Sequence, residues 1–259
     1  RAEYLGEPWA FIDCPGSIEL FQFSADAMKA ADVVVVLADP NRERAAVLAP
    51  YLKFLDDHDI PHVIFVNRLD ETEARIRDLL QEMQAHSERP LVLRQVPIRE
   101  GGRIVGAVDL VSERAWKYKE GAQSELIAMP DSEKEREREA RAALLDTLAD
   151  FDDALMEQIL EDKVPPTDSV FSVMAKELQE DLIVPVILGS AIHGHGVTRL
   201  LKLLRHETPS VAKAAARMNL NGGETVASVI RTVHAPHAGK ISAARIWRGA
   251  IKDGVQVAG

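Results

Sequence analysis

Asp32-Val33-Val34-Val35-Val36-Leu37-Ala38 and Pro61-His62-Val63-Ile64-Phe65-Val66 are unbroken apolar, mostly β-branched runs, and the second leads into Asn67-Arg68-Leu69-Asp70. A strand wetted on one face alternates apolar and polar residues, whereas these runs suit parallel strands covered on both faces. Residues 42–57 between them read as a helix, which completes a strand–helix–strand unit. Working outward, residues 70–85 read as a helix and 91–96 as a strand. Further on, Ile183-Val184-Pro185-Val186-Ile187-Leu188 is another buried strand, closed by a helix over 196–206. Upstream, 2–5 and 9–13 are β-prone and suit a hairpin around Gly6-Glu7. Residues 17–31 read as a helix with Ile18, Leu20, Phe21, Ala25 and Met28 on its apolar side. The expectation is an α/β domain with a mostly parallel sheet. Right-handed crossovers would gather the loops after the strands along one edge, where such sheets bind ligands.

The alternation breaks in the middle of the chain. Residues 97–110 read as a hairpin around Gly101-Gly102, 130–163 as a long helical stretch and 167–180 as a shorter helix. Leu144, Leu148, Phe151, Leu155 and Ile159 form an apolar stripe, while the charges of 133–139 read as a solvated face. Residues 98–182 are therefore expected to form an α+β insertion within a domain spanning 1–206. Residues 207–223 read as a linker. Residues 224–259 are β-like, with a strand over 241–247 and a turn at Lys252-Asp253-Gly254 before 255–257.

The chain carries 31 basic and 41 acidic residues, a net charge of −10, which argues against direct capture of bare nucleic acid. A single cysteine, Cys14, excludes an internal disulfide and a thiol-based metal cluster, and fits a reducing compartment. No apolar run reaches the roughly 18 residues of a membrane span. Both ends read as cut: the chain starts at Arg1 without a signal-peptide pattern, and residues 254–259 stop inside a strand pattern.

Four features sit just past strands. Asp13-Cys14-Pro15-Gly16 follows the β run Trp9 to Ile12, and an Asp there can hold magnesium through water while the Gly N–H meets a γ-phosphate. Its plain alternative is a strand-to-helix turn. Ser17 opens the next helix, where a side chain can orient an attacking water. In Asn67-Arg68-Leu69-Asp70 the carboxylate can accept from guanine N1 and N2, which adenine cannot satisfy, and Asn67 can brace the loop and touch the N7 edge. Asp70 with Glu73 also reads as a capping-box variant. Gly189-Ser190-Ala191 can offer a backbone N–H to guanine O6, or can simply be a helix-start turn with Ser190 as cap. His193 and His195, like His234 and His237, read as surface loop residues rather than metal ligands, and Cys14 as a small filler.

Taken together the chain resembles elongation factor G, a translational GTPase. Asp13-Cys14-Pro15-Gly16 resembles the family's D-T-P-G, Asn67-Arg68-Leu69-Asp70 its N-K-x-D and Gly189-Ser190-Ala191 its G-S-A. Val96-Pro97-Ile98 with Gly106-Ala107-Val108-Asp109-Leu110-Val111 is similar to the start of the family's insertion. The stretch 239–249 resembles the barrel that follows. The resemblance implies a P-loop GTPase-like sheet with an α+β insertion, followed by the start of a β-barrel domain. It implies GTP or GDP with Mg2+ as cofactors, the ribosome as partner, no membrane, and a cytoplasmic setting. The nucleotide would be met by Asp13, Cys14, Pro15, Gly16, Asn67, Arg68, Asp70, Ser190 and Ala191, with Asp13 also serving the magnesium ion. The family's phosphate loop and first switch lie upstream of the motifs found here, so this segment alone is expected to bind nucleotide poorly. Ser17 stands where the family has a water-orienting His, and Arg68 where it has Lys. The Ser17 departure motivates an alternative: a relative that binds GTP and the ribosome but hydrolyses slowly.

Overall fold

The computed structural model describes residues 2–218, 220 and 225–256. The chain opens with β1 (Ala2–Tyr4), β2 (Glu7–Trp9) and α1 (Phe21–Lys29). There follow β3 (Val34–Ala38), α2 (Ala49–Asp57), β4 (His62–Val66), α3 (Ile76–Gln84) and β5 (Leu91–Leu93). Next come β6 (Gln95–Glu100), β7 (Arg103–Asp109), β8 (Arg114–Lys117) and β9 (Glu125–Ile127). Helices α4 (Asp131–Ala149), α5 (Asp153–Leu160) and α6 (Thr167–Gln179) lead to β10 (Val184–Leu188) and α7 (Val197–Glu207). The described part ends with α8 (Val211–Arg217), β11 (Val226–Ala235) and β12 (Gly239–Arg248). Two compact units result, Val33–Thr208 and the combination of Arg1–Asp32 with Pro209–Gly259.

The larger unit is built on a four-stranded sheet of order β3-β4-β10-β5, parallel throughout. Every residue of β4 and β10 is buried, as continuous apolar strands at the centre of a parallel sheet must be. Among the described residues β3 pairs only with β4, and Leu37 is 64% exposed. β10 returns to lie between β4 and β5, so its loop and that of β4 emerge side by side. The insertion departs at Arg94, whose N–H donates to Val186 O at 3.0 Å. The side chain of Gln95 then accepts from Leu188 N at 3.0 Å. Strands β6-β7-β8-β9 form a separate antiparallel sheet. Helices α4, α5 and α6 close over Val92, Val96, Leu110, Leu148, Leu155 and Met174.

The smaller unit joins the β1–β2 hairpin, α1, α8 and the antiparallel pair β11–β12. Arg245 on β12 donates to Ala30 O and to Asp32 Oδ1, both at 2.6 Å, and lies 4.0 Å over the Trp247 ring. Trp247 Nε1 donates to Ser228 Oγ at 2.8 Å.

Several sequence expectations are corrected. The first hairpin turns at Leu5-Gly6 (φ 51 and 80), because Tyr4 pairs with Glu7. Its second strand stops at Trp9, leaving residues 10–17 as a loop. The expected strand over 91–96 is two strands in two sheets, divided at Arg94. The expected helix over 70–85 begins only at Ile76, after a 3-10 turn at Leu69–Glu71. The helix over 42–57 likewise starts as a 3-10 segment, Arg42–Leu48. The stretch over 130–163 breaks at 150–152, where Asp152 Oδ1 caps α5 by accepting from Leu155 N at 3.1 Å. The charged face of 133–139 is not wholly solvated, for Glu133 and Glu137 are buried, together with Arg141 one turn further on. Arg141 donates to Leu110 O and, at 3.1 Å, to Val111 O, tying α4 to the chain that leaves β7. The linker over 207–223 holds α8, capped by Ser210 Oγ accepting from Lys213 N at 3.2 Å. Its residues 219 and 221–223, like residue 257 of the last expected strand, lie outside the described residues. The Lys252-Asp253-Gly254 turn forms, with Val255 N donating to Lys252 O at 3.3 Å.

One buried acid gives the larger unit a pH dependence. Glu177 on α6 is fully buried, and neither carboxylate oxygen has a hydrogen-bond partner. Burial, reinforced by Asp152, pushes its pKa from 4.5 up to about 8. The folded state therefore holds a proton that the unfolded chain releases above pH 4.5. Stability falls as pH rises from there to about 8, as the folded state gives up its greater proton affinity. Urea midpoints measured at pH 5 and pH 8 are expected to diverge in the wild type and to draw together in Glu177→Gln.

Candidate functional site

The loop after β4 is fixed by its backbone. Asn67 N donates to Ala38 O at 2.9 Å, joining the ends of β3 and β4. Arg68 adopts the left-handed conformation (φ 61), at a cost on the order of 1 kcal/mol for a side chain other than glycine. Its guanidinium pairs with Glu71 and lies 3.6 Å from Asp39 Oδ2. Leu69 turns inward, 2% exposed, and its N–H donates to Gly189 O at 3.1 Å. Anchoring Leu69 in the core sets Asp70 facing outward, its side chain 27% exposed.

The loop after β10 is equally constrained. Gly189 N donates to Val66 O at 2.9 Å. A Cβ at residue 189 would stand 2.4 Å from Phe65 Cζ and 2.4 Å from His195 O, so only glycine fits. Ser190 and His195 exchange two backbone hydrogen bonds of 2.9 Å, closing the loop on itself. Gly196 (φ 76) then starts α7, and a Cβ there would meet Leu188 O at 2.3 Å. Across 124 residues of sequence, Asn67 Oδ1 accepts from Ala191 N at 2.8 Å. Both backbone donors that the sequence offers for a base oxygen, at Ser190 and Ala191, are thus engaged within the protein. A ligand carbonyl would share the Ala191 N–H with Asn67 in a three-centre bond.

Electrostatics keep Asp70 an ionised acceptor. Burial by itself raises its pKa, but the Ser190 hydroxyl, its own backbone N–H and the His193 and His195 rings outweigh that, and the carboxyl lies below its ordinary value. The Ser190 hydroxyl is buried without a hydrogen bond of ordinary geometry, so it acts on Asp70 as a nearby dipole. His193 Nε2 stands 3.6 Å from Asp70 Oδ2, and its Nδ1 lies 2.8 Å from Glu120 Oε1.

The structure thus brings Asn67, Arg68, Asp70, Ser190 and Ala191 into one loop cluster at the carboxyl edge of the parallel sheet. Asp13, Cys14, Pro15, Gly16 and Ser17 belong to the smaller unit, in the loop between β2 and α1. There Ser24 Oγ donates to Pro15 O at 3.1 Å. Ser17 precedes a 3-10 turn at Ile18–Leu20 and makes no side-chain cap bond. The Cys14 thiol is pushed up by burial and by Asp13, which suits a filler rather than a nucleophile. Among the described residues no group of three or more His, Cys, Asp or Glu could hold a metal ion.

Ile192 and Glu120 escaped the sequence reading, and the partners of His193 were not foreseen in it. Ile192 is an apolar side chain left 82% exposed directly after Ala191, and its place beside Gly189-Ser190-Ala191 was the available signal. His193 is no plain surface residue, because folding supplies the two carboxylates that its sequence neighbours lack. Glu120 carried no signal at all, since only the β8–β9 connection brings it near the loop after β10.

An open parallel sheet with two locked loops side by side past adjacent strands is the architecture of a nucleotide-binding α/β domain. The chain belongs to the elongation factor Tu GTP binding domain family, whose model matches residues 4–210. It is 39% identical over 246 residues to the elongation factor G-like protein of Synechocystis sp., covering 94% of this chain and 37% of that protein. It is 26% identical over 253 residues to a mitochondrial ribosome-releasing factor 2 of Culex quinquefasciatus, covering 95% of this chain and 34% of that protein. A crystal structure of a Thermus thermophilus protein shares the fold with a TM-score of 0.73 and 24% identity, over 92% of this chain and 35% of that one. The chain therefore spans little more than a third of the length of these relatives.

Proposed function

We propose that this chain is the GTP-binding and GTP-hydrolysing module of an elongation factor G-like ribosomal translocation factor, acting in the cytoplasm. The observation that carries the base site is the 2.8 Å bond from Ala191 N to Asn67 Oδ1, which locks two loops remote in sequence beside the ionised Asp70. Asp70 would accept from guanine N1 and N2, and Asn67 would brace the loop. The aliphatic stem of Arg68 and the bare Ile192 side chain would offer apolar surface to the ring. Ser190 and Ala191 would meet its O6 edge. Taken by itself, the loop Asp13-Cys14-Pro15-Gly16 would serve phosphate, as the family resemblance implies. With no protein cluster that could hold a metal by itself among the described residues, a magnesium ion would rest on Asp13 through water and on the nucleotide's own phosphates. Bound there, it would neutralise charge developing on the transferring phosphoryl group.

The domain reading is a G domain over 1–206 with its insertion at 98–182, a linker at 207–223 and the start of a β-barrel at 224–259. Among the described residues β3 has a strand partner on one edge, and a larger sheet would fit, since a parallel strand is normally covered. Competition binding with the full-length protein is expected to rank GDP far above ADP. Equal affinity for the two would remove the base reading. A second reading rests on Ser17, which is too short to orient water as a histidine does. Under it, ribosome-stimulated GTP turnover is slow in the wild type and rises in Ser17→His, whereas robust wild-type turnover sinks it.

A further inference from the structure

The loop after β10 meets the insertion through three rings. Tyr118, which follows β8, stacks on His195 with centroids 4.6 Å apart and planes at 9°. His195 in turn stacks on His193 at 5.4 Å and 26°. The outermost ring, His193, stands between two carboxylates, with Nδ1 2.8 Å from Glu120 Oε1 and Nε2 3.6 Å from Asp70 Oδ2. The groups that face it are therefore Asp70 from the loop after β4, Glu120 from the β8–β9 connection and His195 from its own loop. Asp70 Oδ2 is one of the two oxygens that a guanine edge needs, and a charged imidazole beside it competes with the N–H donors of the base.

We propose that His193 is a proton-controlled positioning residue of the base site: its imidazolium, steadied by Glu120, holds the Asp70 carboxylate against a purine, and its neutral form releases it. This rests on the guanine reading of Asp70. Two further facts agree. Hydrogen bonding to Glu120, then the charges of Glu120 and Asp70, hold the His193 pKa above its ordinary 6.5. Burial and the neighbouring His193 depress that of His195, so the proton resides on the outer ring. His193 is thus charged below pH 6.5, and its charge is lost as pH rises through the raised value. Nucleotide binding and proton release are then linked, and the insertion, through Glu120, sets the pH at which the site opens.

Fluorescent GDP binding to the full-length protein, followed from pH 6 to pH 8, tests the coupling. The wild type is expected to tighten by about 5-fold more over that range than His193→Gln. The comparison removes the titration of the nucleotide phosphates, which both proteins share. In Glu120→Gln the transition is expected at lower pH. Superimposable profiles for wild type and His193→Gln, with GDP still preferred to ADP, overturn the proposal and leave the base reading intact. A wild type that prefers GDP to ADP at no pH removes both.

Discussion

Asp70→Asn is expected to turn the nucleotide preference from guanine to xanthine. A carboxylate is acceptor-only, and guanine presents two donors, N1–H and the N2 amine. Asparagine offers one acceptor and one donor, which matches xanthine N1–H and its 2-carbonyl. Hydrogen bonds to a charged group contribute roughly 1.5–3 kcal/mol each, so the loss for GDP is about 100-fold. The position is suited to the exchange. Asp70 is partly exposed and held by the backbone around it, since Leu69 is anchored through Gly189 O rather than through the carboxylate. Competition of GDP and XDP for the full-length variant measures the switch, with unchanged chemical denaturation as the control for folding. A variant that loses GDP and XDP alike would assign Asp70 to holding the loop rather than to reading the base.

Arg94→Ala is expected to destabilise the larger unit by about 3–5 kcal/mol. Arg94 stands where the chain leaves the parallel sheet for the insertion, and its guanidinium donates to both oxygens of Glu207, at 3.0 and 2.8 Å. Both side chains are deeply buried, at 4% and 5% exposed. Burial alone would lower the Arg94 pKa, but Glu207 and Asp109 more than offset it. Removing the arginine leaves Glu207 and the fully buried Asp109 short of a cation, with Arg199 3.4 Å from Asp109 as the remaining one. The Phe171 ring also loses its cover, at 5.7 Å from the guanidinium carbon. Arg94→Met with Glu207→Leu removes both charges together and is expected to cost far less, because no ion of the pair is left buried and unpaired. Urea unfolding of the single and double variants measures the difference.

The parallel core was legible because its strands are pure apolar runs: β3, β4 and β10 each fall where the periodicity places them. The loops at their ends were legible as motifs, and folding brings Asn67, Asp70, Ser190 and Ala191 to one place. What the periodicity missed has local causes. A single extended run, 91–96, serves two sheets, because hydrophobicity reports burial and not partner. The delayed start of α3 follows from Thr72 and Arg75, whose extended backbone ends the 3-10 turn and holds the helix off until Ile76, and neither residue type marks such a break in the sequence. The buried face of α4 was hidden by alternating charges that pair in place, with Arg136 on Glu133 at 2.8 Å and Arg141 on the backbone of 110–111. Strands β8 and β9 are short, and β9 is mostly exposed, so neither alternation nor a run marks them. His193 and Glu120 meet only through that unread hairpin, which is why the loop motifs were visible in the sequence and this ring–carboxylate contact beside them was not.

The guanine site itself comes down to one contact. A crystal structure of the full-length protein with GDP is expected to place the guanine N1 and N2 about 2.7–3.2 Å from the Asp70 carboxylate oxygens. In that complex the ring lies between Arg68 and Ile192, and His193 is displaced from Asp70. A base bound elsewhere, with His193 still facing Asp70, contradicts the account.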